Sequence, residues 1–325
     1  MKIGIVTPAP AGSTRGNRIT AERWARILRT LGHHVLISEK YEDEQLDLLI
    51  ALHARRSHLS ILQFRKEHPD TAVILALTGT DVYRDIHKNR QARRSLKLAD
   101  RIVVLQPHAL RELTPGDRKK AHVIYQSVEI GRGWKGPRRP PAGRNFDICV
   151  IGHLRPVKDP FRAAMAARTL PDSSLIHIIQ LGGALSKQME QRALHEMQIN
   201  QRYRWVGELS RARALQVLAQ SRLCIVSSRM EGGANVISEA IVAGVPVLAS
   251  RIAGNIGILG QRYPGLFRVG DARELGQLML RAETNRKFLR GLQMAVEKLA
   301  PLFDPEREQR AWARLIAELA TRPRQ

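Results

Sequence analysis

Residues 227–250 read SSRMEGGANVISEAIVAGVPVLAS. The apolar run Leu223–Ser227 predicts a strand that ends where this stretch begins. Gly232-Gly233 permits an unusual turn, a helix is expected over Asn235–Ala243, and a second strand over Pro246–Ala249. Such a strand–loop–helix junction makes an anion site without any side-chain charge, because the first helical N–H groups and the positive dipole end point at the ligand. Glu231 and Glu239 stand eight positions apart. Glu231 falls on the loop, and Glu239 lies in the early turns of the helix, near the bound anion. There it can accept hydrogen bonds from ligand hydroxyls.

The same alternation extends outward in both directions. Strands are expected at Lys2–Thr7, Val35–Ser38, Leu48–Leu52, Ala72–Leu77, Arg101–Leu105 and His122–Tyr125. Helices are expected at Arg18–Leu31, stopped by Gly32, and at Leu59–Glu67. Residues 131–145, GRGWKGPRRPPAGRN, have no apolar periodicity and read as a linker. The rhythm resumes with strands Phe146–Ile151, Leu175–Gln180 and Tyr203–Val206, and helices Phe161–Leu170, Lys187–Met197 and Ala212–Ala219. This predicts an α/β protein of two Rossmann-like, doubly wound domains facing a cleft, residues 1–130 and 146–304.

Three further turns follow expected strands. Gly152-His153-Leu154-Arg155-Pro156-Val157-Lys158 is a basic turn before a helix. Gly12-Ser13-Thr14-Arg15-Gly16-Asn17 can aim backbone amides at phosphate oxygens, although it has neither GxGxxG nor P-loop spacing. Thr78-Gly79-Thr80-Asp81-Val82-Tyr83 ends the fourth strand. His53, with Arg55 and Arg56 beside it, follows the third strand and is expected to face the cleft.

Together these stretches resemble the GT-B glycosyltransferases, in particular the large retaining family called family 4. The resemblance implies that Glu231 contacts the donor sugar and Glu239 the ribose hydroxyls. Gly152–Lys158 is similar to the family's G-R-L-x-P-x-K turn, whose Arg and Lys bind the donor diphosphate. Lys158 falls on the family lysine; His153 stands at the arginine position, with Arg155 two residues on. Either Arg155 substitutes or the site has one permanent charge fewer. Thr78 stands where many members have His. The family likeness makes Glu231, Arg155 and Lys158 the candidate catalytic residues. Gly12, Ser13, Gly152, Gly232, Gly233, Ala234, Asn235 and Glu239 join them in donor binding. Thr14, Arg15, Asn17, Arg18, His53, Arg55, Thr78, Gly79 and Thr80 are the candidate acceptor contacts. The tail 305–320, with Trp312, Leu315, Ile316 and Leu319, looks like the family's last helix, which returns to the N-terminal domain.

A narrower likeness, carried by GSTRGNR, LTGTDVY, GHLRPVKDP and the 227–250 stretch, is to the selenosugar synthases of selenoneine biosynthesis. It implies transfer from UDP-N-acetylglucosamine or UDP-glucose to selenophosphate. An alcohol acceptor needs help in losing its proton, whereas selenophosphate arrives as an anion with a nucleophilic selenium. Thr78 at the family's His position suits that chemistry.

Composition bounds the alternatives. At 325 residues, 43% of them hydrophobic, the chain is long enough for two cored domains and is not disordered overall. No apolar run is long enough for a membrane span, and Met1–Pro8 is too soon broken to be a signal-peptide core. Cys149 and Cys224 read as small core residues of a cytoplasmic protein. The 53 Lys and Arg against 30 Asp and Glu leave a charge of +23, which favours anionic partners. Aromatic content of 5% is thin for base stacking, and the basic residues are dispersed, so nucleic acid is not the expected partner. No D-x-D triplet, HExxH or Cys/His cluster is present, so no metal or other cofactor is expected, and the UDP-sugar enters as a substrate. A transferase with a hydroxyl acceptor and a noncatalytic nucleic-acid binder are the competing expectations.

Overall fold

The computed structural model describes residues 1–13, 16–129 and 145–320. The chain divides into two compact units, Met1–Ser127 with Asp304–Gln325, and Val128–Phe303. The expected linker 131–145 lies, except for Asn145, outside the described residues.

In the first unit the order is β1 (Lys2–Val6), α1 (Gly16–Thr30), β2 (His34–Ser38), β3 (Leu48–Leu52), α2 (His58–Glu67) and β4 (Ala72–Leu77). There follow α3 (Ile86–Lys88), α4 (Arg90–Leu98), β5 (Arg101–Val104), α5 (Pro115–Lys119) and β6 (Ala121–Val123). The six strands form one sheet in the order β2-β1-β3-β4-β5-β6, and every pair is parallel. Because side chains alternate along a strand, each strand feeds two cores. Ile3, Ile5, Leu48 and Ile50 pack with Trp24 and Leu28 on one face; Val6, Leu49, Ala51 and Leu75 pack with Ile61 and Phe64 on the other. Burial on both faces explains why these strands read as continuous apolar runs.

The second unit contains β7 (Phe146–Ile151), α6 (Arg162–Ala167), β8 (Ile176–Leu181), α7 (Lys187–Ile199), β9 (Tyr203–Gly207), α8 (Arg211–Gln220) and β10 (Leu223–Val226). It continues with α9 (Asn235–Val242), β11 (Val247–Ser250), α10 (Ala253–Leu259), β12 (Leu266–Phe267), α11 (Ala272–Thr284) and α12 (Arg286–Leu299). Its sheet order is β12-β11-β10-β7-β8-β9, again all parallel. Cys224 lies directly opposite Cys149 in the β10–β7 register, and both are fully buried. Burial pushes the Cys149 thiol up to about 12 and the Cys224 thiol well above its usual range, so both remain inert thiols.

The structure moves some expected boundaries. The first helix starts at Gly16, so Gly16 and Asn17 are helical rather than part of the preceding loop. The helix expected over Phe161–Leu170 shortens to Arg162–Ala167, because Asp159 takes a left-handed conformation and the chain turns again after Ala167. Past Ser250, α10, β12, α11 and α12 occupy a region for which no element was expected.

The last helix, α13 (Pro305–Ala320), belongs to the first unit. Trp312 meets Trp24 of α1 edge-on, with ring centroids 4.8 Å apart, and both are fully buried. Beside them Glu308, 2% exposed, accepts hydrogen bonds from Trp24 Nε1 (2.8 Å), Ser127 N (2.7 Å) and Ser127 Oγ (2.5 Å). Arg23 Nε stands 3.7 Å from the same carboxylate, while its Nη1 donates to the Ser127 carbonyl at 2.8 Å. One buried carboxylate thus ties α13, α1 and the end of the first unit's main segment together. Truncating it strands a buried guanidinium and three donors. Glu308→Ala is therefore expected to destabilise this unit by about 3–5 kcal/mol, measured by denaturant unfolding followed by tryptophan fluorescence. A loss below about 1 kcal/mol, the scale of an exposed pair, would contradict this reading of the contact.

Candidate functional site

In an open parallel sheet, ligands bind beyond the carboxyl ends of the strands, where adjacent strands send their connections to opposite sides. In the second unit that point falls between β7 and β10, neighbours in space but far apart in sequence. The two motifs singled out in the sequence are the segments leaving these strands. Gly152–Lys158 follows β7, with Pro156–Lys158 forming a single 3-10 turn, and Ser227–Ala234 follows β10.

The two segments are stitched together. Arg229 N donates to the Val157 carbonyl at 2.8 Å, and Ser227 Oγ donates to the carbonyls of Asp159 (2.9 Å) and Lys158 (3.2 Å). Lys158 Nζ donates directly to Glu231 Oε1, and Ser228 Oγ donates to the same oxygen at 2.5 Å. The side chains of Lys158 and Glu231 are 23% and 12% exposed, so the pair is partly desolvated yet open to a ligand. Gly182, at the end of β8, allows the turn after β7 to lie this close. A Cβ there would stand 2.2 Å from the Gly152 carbonyl oxygen, and its φ of +129° suits glycine alone.

Glu239 projects from α9 and meets Arg211, the first residue of α8, at 3.5 Å. No motif singled out Arg211; an arginine opening a helix carries no sequence signal of a distant carboxylate. Ala234 caps α9 without a side-chain hydrogen bond, and Asn235 Oδ1 is buried without a hydrogen-bond partner among the described residues. Gly232 and Ala234 are buried and Gly233 half-buried beneath the helix start. Arg155 is exposed and has no ion-pair partner among the described residues, whereas His153 is half-buried beside Gly183.

In the first unit, Thr78 Oγ1 donates to Asn17 Oδ1 at 2.9 Å, which joins the segment after β4 to the first turn of α1. Arg18 is bound to Glu22 at 2.6 Å. Gly12 is exposed, and Ser13, Gly79 and Thr80 are half-buried; Thr14 and Arg15 lie outside the described residues. His53, expected to face the cleft, is enclosed by its own unit. It is 4% exposed, with its ring nitrogens 3.9 Å from Asp81 and 3.8 Å from Asp85. Asp81 also accepts from Ala54 N and Gly79 N, both at 2.9 Å, and Asp85 pairs with Arg55 at 3.3 Å. The π-helical turn Asp81–Asp85 folds these carboxylates over the ring, an enclosure that a position after a strand does not reveal. Of this group, Arg55 keeps 39% of its side chain exposed.

Residues 137–298 match the family model described as Glycosyl transferases group 1. No curated protein matches the chain in sequence. Among solved structures, the chain is similar to Anabaena HepE in complex with UDP-glucose (TM-score 0.76, 15% identity, 98% of this chain and 100% of that one). It is similar also to sucrose-phosphate synthase from Thermosynechococcus elongatus (0.78, 17%, 98% and 99%) and to a glycosyltransferase from Rickettsia africae (0.73, 13%, 99% and 99%). At these identities the likeness establishes the fold, two parallel six-stranded α/β units of the GT-B type. Among the described residues no helix is long and apolar enough to cross a membrane.

One residue essential to the site's geometry lay outside every motif. A Cβ on Gly254 of α10 would sit 2.0 Å from the Glu231 carbonyl oxygen, so only glycine lets this helix touch the Glu231 main chain. Gly254→Ala must displace either α10 or the Glu231 loop. Its thermal midpoint is expected to fall by several degrees, on the order of 1–3 kcal/mol of overpacking. An unchanged midpoint in a thermal melt would show that the helix and loop are not in this contact.

Proposed function

We propose that this glycosyltransferase takes its sugar from a UDP-sugar, UDP-glucose or UDP-N-acetylglucosamine, and joins it to selenophosphate through a carbon–selenium bond. The observation that carries the donor half is the meeting of Lys158 and Glu231 at the β7–β10 switch point, with Arg155 and the start of α9 close in the chain. The UDP-glucose bound by a protein of the same fold supports the choice of nucleotide.

In this reading Lys158 and Arg155 hold the diphosphate, the α9 N-terminus adds its dipole, Glu239 receives the ribose hydroxyls, and Glu231 receives a hydroxyl of the sugar. As the bond from the anomeric carbon to the β-phosphate oxygen breaks, negative charge gathers on UDP and positive charge on the sugar ring. Fixed cations at the diphosphate stabilise the first charge. A selenium lone pair closes on the anomeric carbon, and UDP leaves with the electrons of the broken bond. Arg55, Arg18 and Arg15 are the proposed counter-charges for the acceptor. Thr78 at the family's His position and the enclosure of His53 support a nucleophile that needs no imidazole base. The noncatalytic nucleic-acid reading gives way to the glycosyl transferase domain match.

The deciding experiment offers selenophosphate, thiophosphate, phosphate and simple sugars to the protein with each UDP-sugar. UDP release with a seleno-sugar mass, seen with selenophosphate alone, is the expected result. Transfer to a hydroxyl and none to selenophosphate would discard the selenium chemistry and leave a sugar transferase. Turnover is expected to persist in EDTA, since Arg155 and Lys158 supply the counter-charge. Loss of turnover in EDTA, restored by Mg²⁺ or Mn²⁺, would contradict that. In calorimetry Glu239→Ala is expected to weaken UDP binding on the order of 10–100-fold, the scale of hydrogen bonds to a charged group. Unchanged affinity would remove Glu239 from the ribose.

A further inference from the structure

Behind Glu231 runs a buried chain of hydrogen bonds whose side chains have no donor-binding role under the family likeness. Asn255 of α10, fully buried, donates from Nδ2 to the Ser250 carbonyl at 2.9 Å and to Ser250 Oγ at 3.1 Å. Ser250 Oγ, at the end of β11 and also fully buried, donates to the Ser228 carbonyl. Ser228 Oγ donates to Glu231 Oε1 at 2.5 Å, the oxygen that Lys158 also reaches. The direction of the chain is fixed by chemistry. A carbonyl only accepts, so the Asn255 atom facing Ser250 O is the amide nitrogen, and the Ser250 hydroxyl, facing Ser228 O, must donate.

We infer that Asn255, Ser250 and Ser228 are positioning residues that hold Glu231 in place while a bound diphosphate draws Lys158 away. The inference rests on the reading of Glu231 as the donor-sugar contact. Oε1 has two donors of different character. Lys158 is a point charge on a flexible stem, and an anionic ligand competes for it directly. Ser228 is neutral, short and 2% exposed, so it cannot follow the phosphate. Once Lys158 turns to the ligand, the serine alone keeps Oε1, and its own main chain is held by Ser250. Oε2 has no partner among the described residues and is the oxygen left to receive a sugar hydroxyl. Gly254, one residue before Asn255, sets the same helix against the Glu231 main chain, so α10 fixes both ends of this residue. Each link of the chain is a donor facing an acceptor, although Asn255 Oδ1 has no hydrogen-bond partner among the described residues.

The test compares UDP-glucose with UDP by calorimetry, which needs no acceptor. Ser228→Ala is expected to lose on the order of tenfold in UDP-glucose affinity while UDP stays within about twofold, since the lost bond is charge-assisted and holds the carboxylate that receives the sugar. Ser250→Ala, one step further back, is expected to shift the same ratio by a smaller factor. Glu231→Ala alone should abolish the advantage that the sugar confers, and Ser228→Ala should then add nothing, because contacting residues are non-additive. A full Ser228→Ala effect in the Glu231→Ala background would overturn the relay and leave the role of Glu231 standing. Equal losses for UDP and UDP-glucose in Ser228→Ala would overturn it too, marking general damage. Intact sugar discrimination in Glu231→Ala would overturn the role of Glu231 itself, and the relay with it.

Discussion

The ion pair between Lys158 and Glu231 is the contact on which the site is built, because each partner hangs from a different strand of the β7–β10 switch point. To bring them together, the turn after β7 must lie against the β8 end, which Gly182 permits, and must bond the segment after β10 through Arg229 and Ser227. A half-buried pair of this kind sits near break-even. Its Coulomb attraction is offset by the water both groups have given up. That balance makes it exchangeable: a diphosphate offers the lysine an equivalent partner, and a sugar hydroxyl offers the carboxylate one.

The opposite arrangement governs the first unit. There His53, Asp81, Asp85 and Arg55 cluster within ion-pair distance of one another, Asp85 Oδ2 has no hydrogen-bond partner among the described residues, and only the arginine retains substantial exposure. Some of the cationic side chains are likewise engaged internally. Arg65 donates to the carbonyls of Pro69, Thr71 and Leu98 while pairing with Asp100, and Arg202 binds the carbonyls of Ser174, Pro171 and Asp172. These guanidinium groups close turns whose carbonyls have no ladder partner.

What could be read from the sequence follows from the same physics. Strands buried on both faces, such as Leu48–Leu52 and Phe146–Ile151, stand out as apolar runs with turn residues at their ends, and the alternation with helices implied parallel sheets. The pairing of Gly152–Lys158 with the Glu231 loop was legible through the family likeness, since both are strand-end segments. Arg211, Gly254 and Asn255 were not legible. Each acts through a contact fixed only when distant strands align, and an arginine, a glycine or an asparagine at a helix start has many other uses. The enclosure of His53 was not legible either, because position after a strand does not say which carboxylates a later turn will fold over it. The two-residue strand Leu266–Phe267 is too short to show any period at all.

A crystal structure of the protein with UDP-glucose tests the central claim most directly. The β-phosphate is expected within hydrogen-bond distance of Lys158 Nζ, with Glu231 Oε1 still on Ser228 and Oε2 on a hydroxyl of the glucose. A nucleotide bound elsewhere, with Lys158 and Glu231 still joined, would contradict it.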